Sequence, residues 1–315
     1  MKSFLLQTFG FLFAVAFFVI SVVAVVTGVD FRAYRAALKA PDGADVIACN
    51  DSQMATGLDP SLSVRLWNKS AIASPCDASY LRLRDSLAAN PGQIKFVLID
   101  VSQINVEMDD RVQPLRPGGE RGDHVQLQLL NSFEFPRKLG SVGKIFTDLY
   151  LRRLDKYRSA WRHGKPLKTP MCGGFSPLEV AGFVQHRDAA VADMKVKARP
   201  EAALTPESRC LFWFRKMAEC ALDSGARPVF VTTPLHPEFR KAMNAKRLAS
   251  IPEAAAALAR EFDAPYFNYL EMTFPENCWK DCNHLNVRGA KAFTRRVLAD
   301  VESLSARSGV CADAP

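Results

Sequence analysis

Near its C-terminal end the chain reads DCNHLNVRGAKAF, Asp281 to Phe293, which sets an acid three residues before a histidine, directly ahead of a helix-like stretch. Far upstream, a compact apolar run from Val46 to Cys49 breaks into the polar Asn50-Asp51-Ser52. A serine hydroxyl is a poor nucleophile until a base takes its proton, and the base works best when a third group fixes its tautomer. Ser52, His284 and Asp281 are the residue types that this chemistry needs. It demands Ser52–His284 and Asp281–His284 contacts of about 2.6–3.2 Å. Blander readings stand beside it. Ser52 can be a loop hydroxyl capping the next helix, and Asp281–His284 a helix start whose histidine bonds to backbone.

The same stretch offers a rival chemistry. Cys278, Cys282 and His284 are all zinc-ligand types, but no fourth ligand has suitable spacing. No metal and no cofactor are therefore expected, and a local Cys278–Cys282 disulfide or two unpaired thiols is the simpler reading. His236, in TPLHPEF, lies at the end of another apolar run. It is read as pocket-lining, in a binding or structural role, because nothing nearby orients it as a base.

What must bring these residues together is an alternation of strands and helices. Strand-like runs at Val46–Cys49, IKFVLID (ending at Asp100), PVFVTT and PYFNYL are separated by helical stretches. The first helix, DASYLRLRDSLAAN, is expected to start at the cap Asp77 with Tyr80, Leu81 and Leu87 on one face. A second, Thr205 to Ser224, has Thr205 as cap, Pro206 in its first turn and Gly225 at its end. IPEAAAALAREFD and GAKAFTRRVLADVESL follow. Such alternation implies a parallel sheet covered on both faces, with reactive groups at the strand carboxyl ends. Ser52 and His284 both fall in loops where that rule wants them. Between about 104 and 204 the pattern loosens into PLRPGGERGDH, a basic amphipathic stretch from Lys144 to Lys168 and TPMCGGFSP. This section reads as an insertion or lid, its basic stretch either a solvated face or a surface for lipid headgroups or an anionic glycan.

The bulk numbers bound the rest. A chain of 315 residues, 48% hydrophobic and 23% charged, builds an ordinary globular core. The net charge of +8 favours anionic surfaces, yet no dense basic tract interleaved with aromatics points to nucleic acid. Residues 1–29 are expected to be a transmembrane anchor: Phe4 to Val29 carries no charge and is long enough to cross roughly 30 Å of hydrocarbon. It lacks an Ala-x-Ala cleavage site. Arg32, Arg35 and Lys39 beyond it argue for a cytoplasmic body, but long translocated domains often disregard that count. The eight cysteines are compatible with an oxidising compartment, and an exported body, residues 30–315, is the expectation.

VIACNDSQMATGLDP, VFVTTPLHP and DCNHLNVRGAKAF resemble the SGNH hydrolase-like superfamily, over residues 45–103 and 205–304. More narrowly they resemble membrane-anchored bacterial members found in envelope-polysaccharide acylation, such as alginate O-acetylation and teichoic-acid D-alanylation proteins. The resemblance implies a flavodoxin-like three-layer α/β/α sandwich, Ser52 as nucleophile, and Asp281–His284 as its Asp-x-x-His pair. It further implies oxyanion donors at the nucleophile's own amide, a second-block glycine and a third-block asparagine. Here the chain departs. Asn50 stands where Gly is usual, Ala73 or Ser74 where the second glycine is common, and Gln103 or Asn105 where the asparagine belongs. The resemblance implies a single-pass protein of the bacterial inner membrane with a periplasmic catalytic domain. It would move or remove an acyl group, acetyl first, on a carbohydrate hydroxyl, partnered by membrane lipid and a multi-span acyl donor protein. A non-catalytic module for binding or assembly, its oxyanion hole eroded, is the alternative.

Overall fold

Strand side chains alternate between two separate cores, which is why the strands read as unbroken apolar runs. A computed structural model describes residues 2–72, 74, 76–101, 152–163, 173–179 and 208–310. In chain order the elements are α1 (Lys2–Ala37), β1 (Val46–Ala48), α2 (Ser52–Gly57), β2 (Leu66–Asn68), α3 (Cys76–Ala89) and β3 (Phe96–Asp100). There follow α4 (Arg152–Arg162), α5 (Arg209–Asp223), β4 (Arg227–Thr232), α6 (Pro237–Ala242), α7 (Ala245–Glu261), β5 (Tyr266–Asn268) and α8 (Val287–Val310).

The sheet has five parallel strands in the order β2-β1-β3-β4-β5. This is a doubly wound order, and the direction of winding switches between β1 and β3. Val46 pairs with Leu66 on one side and Phe96 on the other. Val46, Ala48, Leu98, Val229 and Val231 face one way, toward Met54 of α2, Phe239 of α6 and Phe293, Val297 and Val301 of α8. Ile47, Cys49, Val97, Ile99 and Phe230 face the other, toward Leu83 and Leu87 of α3, Phe214 and Met217 of α5 and Leu258 of α7. Each Val, Leu, Ile, Met or Phe side chain among them stabilises by about 1.5–3 kcal/mol when fully buried. The architecture is a parallel α/β sandwich.

Several local expectations change. β2 lies in a stretch for which the sequence shows no strand signal, since three residues are too few to show a period. Helix α3 starts at Cys76, and its buried face is Ala78, Ser79, Arg82, Leu83, Ser86 and Leu87. Tyr80 and Leu81 lie off that face, half-buried. The expected face follows the apolar letters, but the packed one carries a guanidinium and two hydroxyls. PLHPEF leaves β4 as a loop through His236 and turns into α6 at Pro237, because His236 caps that helix and Pro237 suits its first turn. Ser208 precedes α5; Thr205 and Pro206 lie outside the described residues. Gly225 does end that helix, at φ 77°, where a side chain is disfavoured.

By its contacts the chain divides into two units. One comprises Met1–Ala37 and Leu115–Cys172, and the other Leu38–Pro114 and Gly173–Pro315. The sheet and the candidate site belong to the second. In the first, α1 spans 36 residues without a break and runs on past Val29 to Ala37. Phe9, Phe11, Phe13, Phe17 and Phe18 are exposed on it. Among the described residues no helix is long and apolar enough to cross a membrane, the side chains of α1 being described only in part.

Candidate active site

Two strand ends and one hairpin build the site. β1 runs out at Ala48, and Asp51 caps α2 by accepting a hydrogen bond from the amide of Gln53, so Ser52 becomes the first residue of a helix at the sheet's carboxyl edge. Asn50 ties this turn down. Its amide donates to Ser70 Oγ at 3.0 Å, its carbonyl accepts from Ala71, and its side-chain amide donates to the carbonyl of Asp100 at 2.6 Å. Among the described residues the one non-glycine with positive φ is Asp263. Position 50 therefore needs no glycine, and asparagine uses the place to join the ends of β1 and β3.

His284 sits in a hairpin between β5 and α8, where Trp279 and Leu285 form an antiparallel bridge. Asn286 closes it. Its side-chain amide donates to the carbonyls of Asn277 and Trp279, and its oxygen accepts from the amides of Arg288 and Gly289, capping α8. A Cβ on Gly289 would lie 2.3 Å from the carbonyl oxygen of Cys278, so hairpin and helix approach at a distance only glycine permits.

These loops bring Ser52, His284 and Asp281 into one hydrogen-bonded chain. His284 Nε2 is 2.9 Å from Ser52 Oγ, and Nδ1 is 2.8 and 2.9 Å from the two carboxylate oxygens of Asp281. Asp281 Oδ1 also accepts from the amides of Asn283 and His284 at 3.0 and 2.9 Å. The carboxylate thus holds both the ring and the backbone beneath it. An ionised Asp281 fixes the proton on Nδ1, which leaves Nε2 to accept from the Ser52 hydroxyl. Ser52 is 6% exposed. Gln53, the residue after it, donates from its side-chain amide to the carbonyl of Asn283 at 3.2 Å. Sequence reasoning missed that link, which joins positions 230 apart and leaves no local signal.

The oxyanion candidates fare differently. Ala73, Gln103 and Asn105 lie outside the described residues. Ser74 is held within its own loop and by α3. Its amide donates to the carbonyl of Ala71 at 3.3 Å, and its hydroxyl is engaged by Arg82 and Ser79. His236 packs against the hairpin that carries His284. Its amide donates to the carbonyl of Cys282 at 3.0 Å, its Nδ1 accepts from the amide of Glu238, and its ring meets that of Trp279 edge-on at 5.3 Å. It supports the loop that carries His284.

The zinc-ligand trio is not assembled. Both ring nitrogens of His284 are engaged by Ser52 and Asp281, and among the described residues no group of three or more His, Cys, Asp or Glu is placed to hold a metal ion. Cys278 and Cys282 do not form a disulfide. Burial pushes the Cys278 thiol up, with Arg288 pulling partly back.

No protein-family model and no curated protein matches the chain. Among solved structures, a protein of Bacteroides fragilis provisionally assigned as an acylhydrolase is similar over 86% of this chain and 93% of its own, at 11% identity and a TM-score of 0.42. A likeness that distant carries no argument about activity.

Proposed function

We propose that the protein is a serine-dependent acyltransferase or esterase of the SGNH hydrolase-like kind, acting on O-acyl groups, acetyl first, of a cell-envelope polysaccharide. The observation that carries this reading is the unbroken chain from Ser52 Oγ through the His284 ring to the Asp281 carboxylate. Ser52 Oγ attacks the acyl carbonyl while its proton passes to His284 Nε2, forming a tetrahedral intermediate. The bond to the donor oxygen breaks, and that oxygen leaves with the proton from Nε2. The acyl group now rests on Ser52, and a second hydroxyl repeats the sequence in reverse: its proton goes to Nε2, its oxygen bonds the carbonyl carbon, and Ser52 is released. A sugar hydroxyl in that step makes a transferase, and water makes an esterase. The resemblance to envelope-acylation proteins favours the sugar.

The same reading makes α1 the anchor of a single-pass inner-membrane protein with the sandwich on the periplasmic side. What supports it is the uncharged stretch from Phe4 to Val29, the helix that contains it and its exposed aromatics. A multi-span membrane protein is the proposed acyl donor. Protease accessibility of the sandwich in spheroplasts tests the orientation, and protection there would place the body on the inner side.

A fluorophosphonate probe tests the chemistry. Labelling is expected at Ser52 and is expected to vanish in both Ser52→Ala and His284→Ala. Labelling that persists in Ser52→Ala would remove this serine from the reaction. The second reading, a non-catalytic module that binds glycan or an assembly partner, draws on the shielding of Ser52 and the engaged amide of Ser74. A wild-type protein that folds, binds and never labels would favour it.

A further inference from the structure

From Gly173 to Glu179 the chain runs across the loops that hold the site. The amide of Gly174 donates to the carbonyl of Ser70 at 2.8 Å, that of Ser176 to Ala55 at 2.8 Å, and the carbonyl of Leu178 accepts from Val287 at 3.1 Å. This strap is therefore tied to the loop after β2, to the helix that begins at Ser52, and to the first residue of α8. Gly173 lies at φ 62° and Gly174 at φ 132°. A Cβ on Gly173 would sit 2.1 Å from the carbonyl oxygen of Lys69. Backbone packed that closely on backbone, in conformations that side chains disfavour, describes a built wall and not a loose lid. Phe175 stands between the first two ties, half-buried.

We propose that the strap is the acceptor-side wall of the Ser52 site, and that Phe175 is the platform on which a pyranose ring of the acceptor rests. This builds on the reading of Ser52 as an acyl-carrying nucleophile. One face of a pyranose ring presents C–H groups while its hydroxyls point outward. A partly exposed aromatic side chain can cover that face and leave a hydroxyl free to reach the acyl carbon. In that step the hydroxyl proton goes to His284 Nε2, a new C–O bond forms, the bond to Ser52 Oγ breaks, and the proton passes on to Ser52. Water can follow the same path. A ring held on Phe175 gives the sugar the advantage by raising its effective concentration at the carbonyl.

The test uses the full chain in detergent, acetylated at Ser52 with p-nitrophenyl acetate, while methyl β-glucopyranoside and methanol compete for the acetyl group. Both offer hydroxyls, but only one has a ring to stack. Wild type is expected to prefer the glucoside, F175A to lose about tenfold of that preference, and F175Y to stay within about twofold of wild type. The p-nitrophenol burst and the fluorophosphonate labelling of Ser52 should stay within about twofold across all three. A preference that survives in F175A overturns the proposal, and so does a burst that falls in step with it, since that marks a merely structural wall. If wild-type Ser52 shows neither burst nor label, the enzymatic reading is what has failed. Saturation-transfer NMR of the glucoside then tests the platform alone: ring signals lost in F175A uphold it, and ring signals absent from wild type overturn it.

Discussion

The side-chain amide of Gln53 donates to the carbonyl of Asn283 at 3.2 Å, so the residue after Ser52 grips the residue before His284. The Ser52–His284 contact is therefore not left to one hydroxyl and one ring. A misplacement of about 1 Å at a reacting pair can cost 10²-fold in rate. Gln53→Leu keeps the side chain's bulk and removes the grip. Fluorophosphonate labelling of Ser52 is expected to slow by about ten- to a hundredfold, with thermal unfolding shifted by only a few degrees. Unchanged labelling would reduce this bond to packing.

Asp281 carries two jobs that one substitution separates. In Asp281→Asn the side-chain amide still offers an oxygen to the amides of Asn283 and His284, so the variant should fold with nearly wild-type stability. It no longer fixes the Nδ1 proton or steadies a protonated ring. Hydrolysis of p-nitrophenyl acetate is expected to fall about 10³- to 10⁴-fold, the scale on which serine hydrolases suffer when the orienting carboxylate is lost. A loss of activity matched by unfolding in circular dichroism would instead make Asp281 a loop staple.

Gly289→Ala sets two effects of opposite sign against each other. Inside a helix the change ordinarily gains up to about 1 kcal/mol. Here the new Cβ meets the Cys278 carbonyl at 2.3 Å and Leu285 Cδ2 at 2.8 Å, and overpacking costs about 1–3 kcal/mol. The carbonyl belongs to the hairpin that carries His284 and cannot yield without moving it. Urea unfolding is expected to show net destabilisation of about 1–2 kcal/mol, accompanied by slower labelling of Ser52. A stabilised variant would show that the hairpin moves aside freely.

Alkaline pH should weaken the fold. Burial pushes the Tyr269 phenol well above its ordinary value of 10.0, and its hydrogen bond to Asp300 pushes it further. Burial likewise raises the Cys49 thiol above 9.0, with Arg82 pulling partly back. The native state holds these protons more tightly than the unfolded chain does. Stability is thus complete below about pH 9 and declines above it, as the unfolded chain releases protons first. Urea midpoints measured from pH 8 to 11 should fall across the upper half of that range, and Tyr269→Phe should flatten the slope. An identical slope in the variant would assign the decline to other groups.

The parts legible in the sequence are those that follow from short-range rules. Apolar runs ending in polar residues mark β1, β3 and β4, and Asp281, three residues before His284, stands out because a serine far upstream needs a base. Other features are hidden for physical reasons. β2 is too short to show a period. The buried face of α3 carries Arg82, Ser79 and Ser86, so hydropathy points elsewhere. Gln53, Asn286 and Asn50 act through hydrogen bonds to backbone that no pattern of letters encodes. Gly289 is small because of Cys278, which lies outside its helix, and Gly173 of the strap is placed by Lys69, far earlier in the chain. Ser74 suits an oxyanion donor by its position alone, yet its amide and hydroxyl are taken by Ala71, Arg82 and Ser79.

The hairpin holding His284 is locked by the same asparagine that starts α8, while Ser52 lies 232 positions earlier. During synthesis the Ser52 hydroxyl therefore emerges long before the ring that takes its proton in the proposed reaction. In the proposed reaction a nascent chain with most of its sheet already paired is chemically silent, and competence waits until translation reaches the last helix.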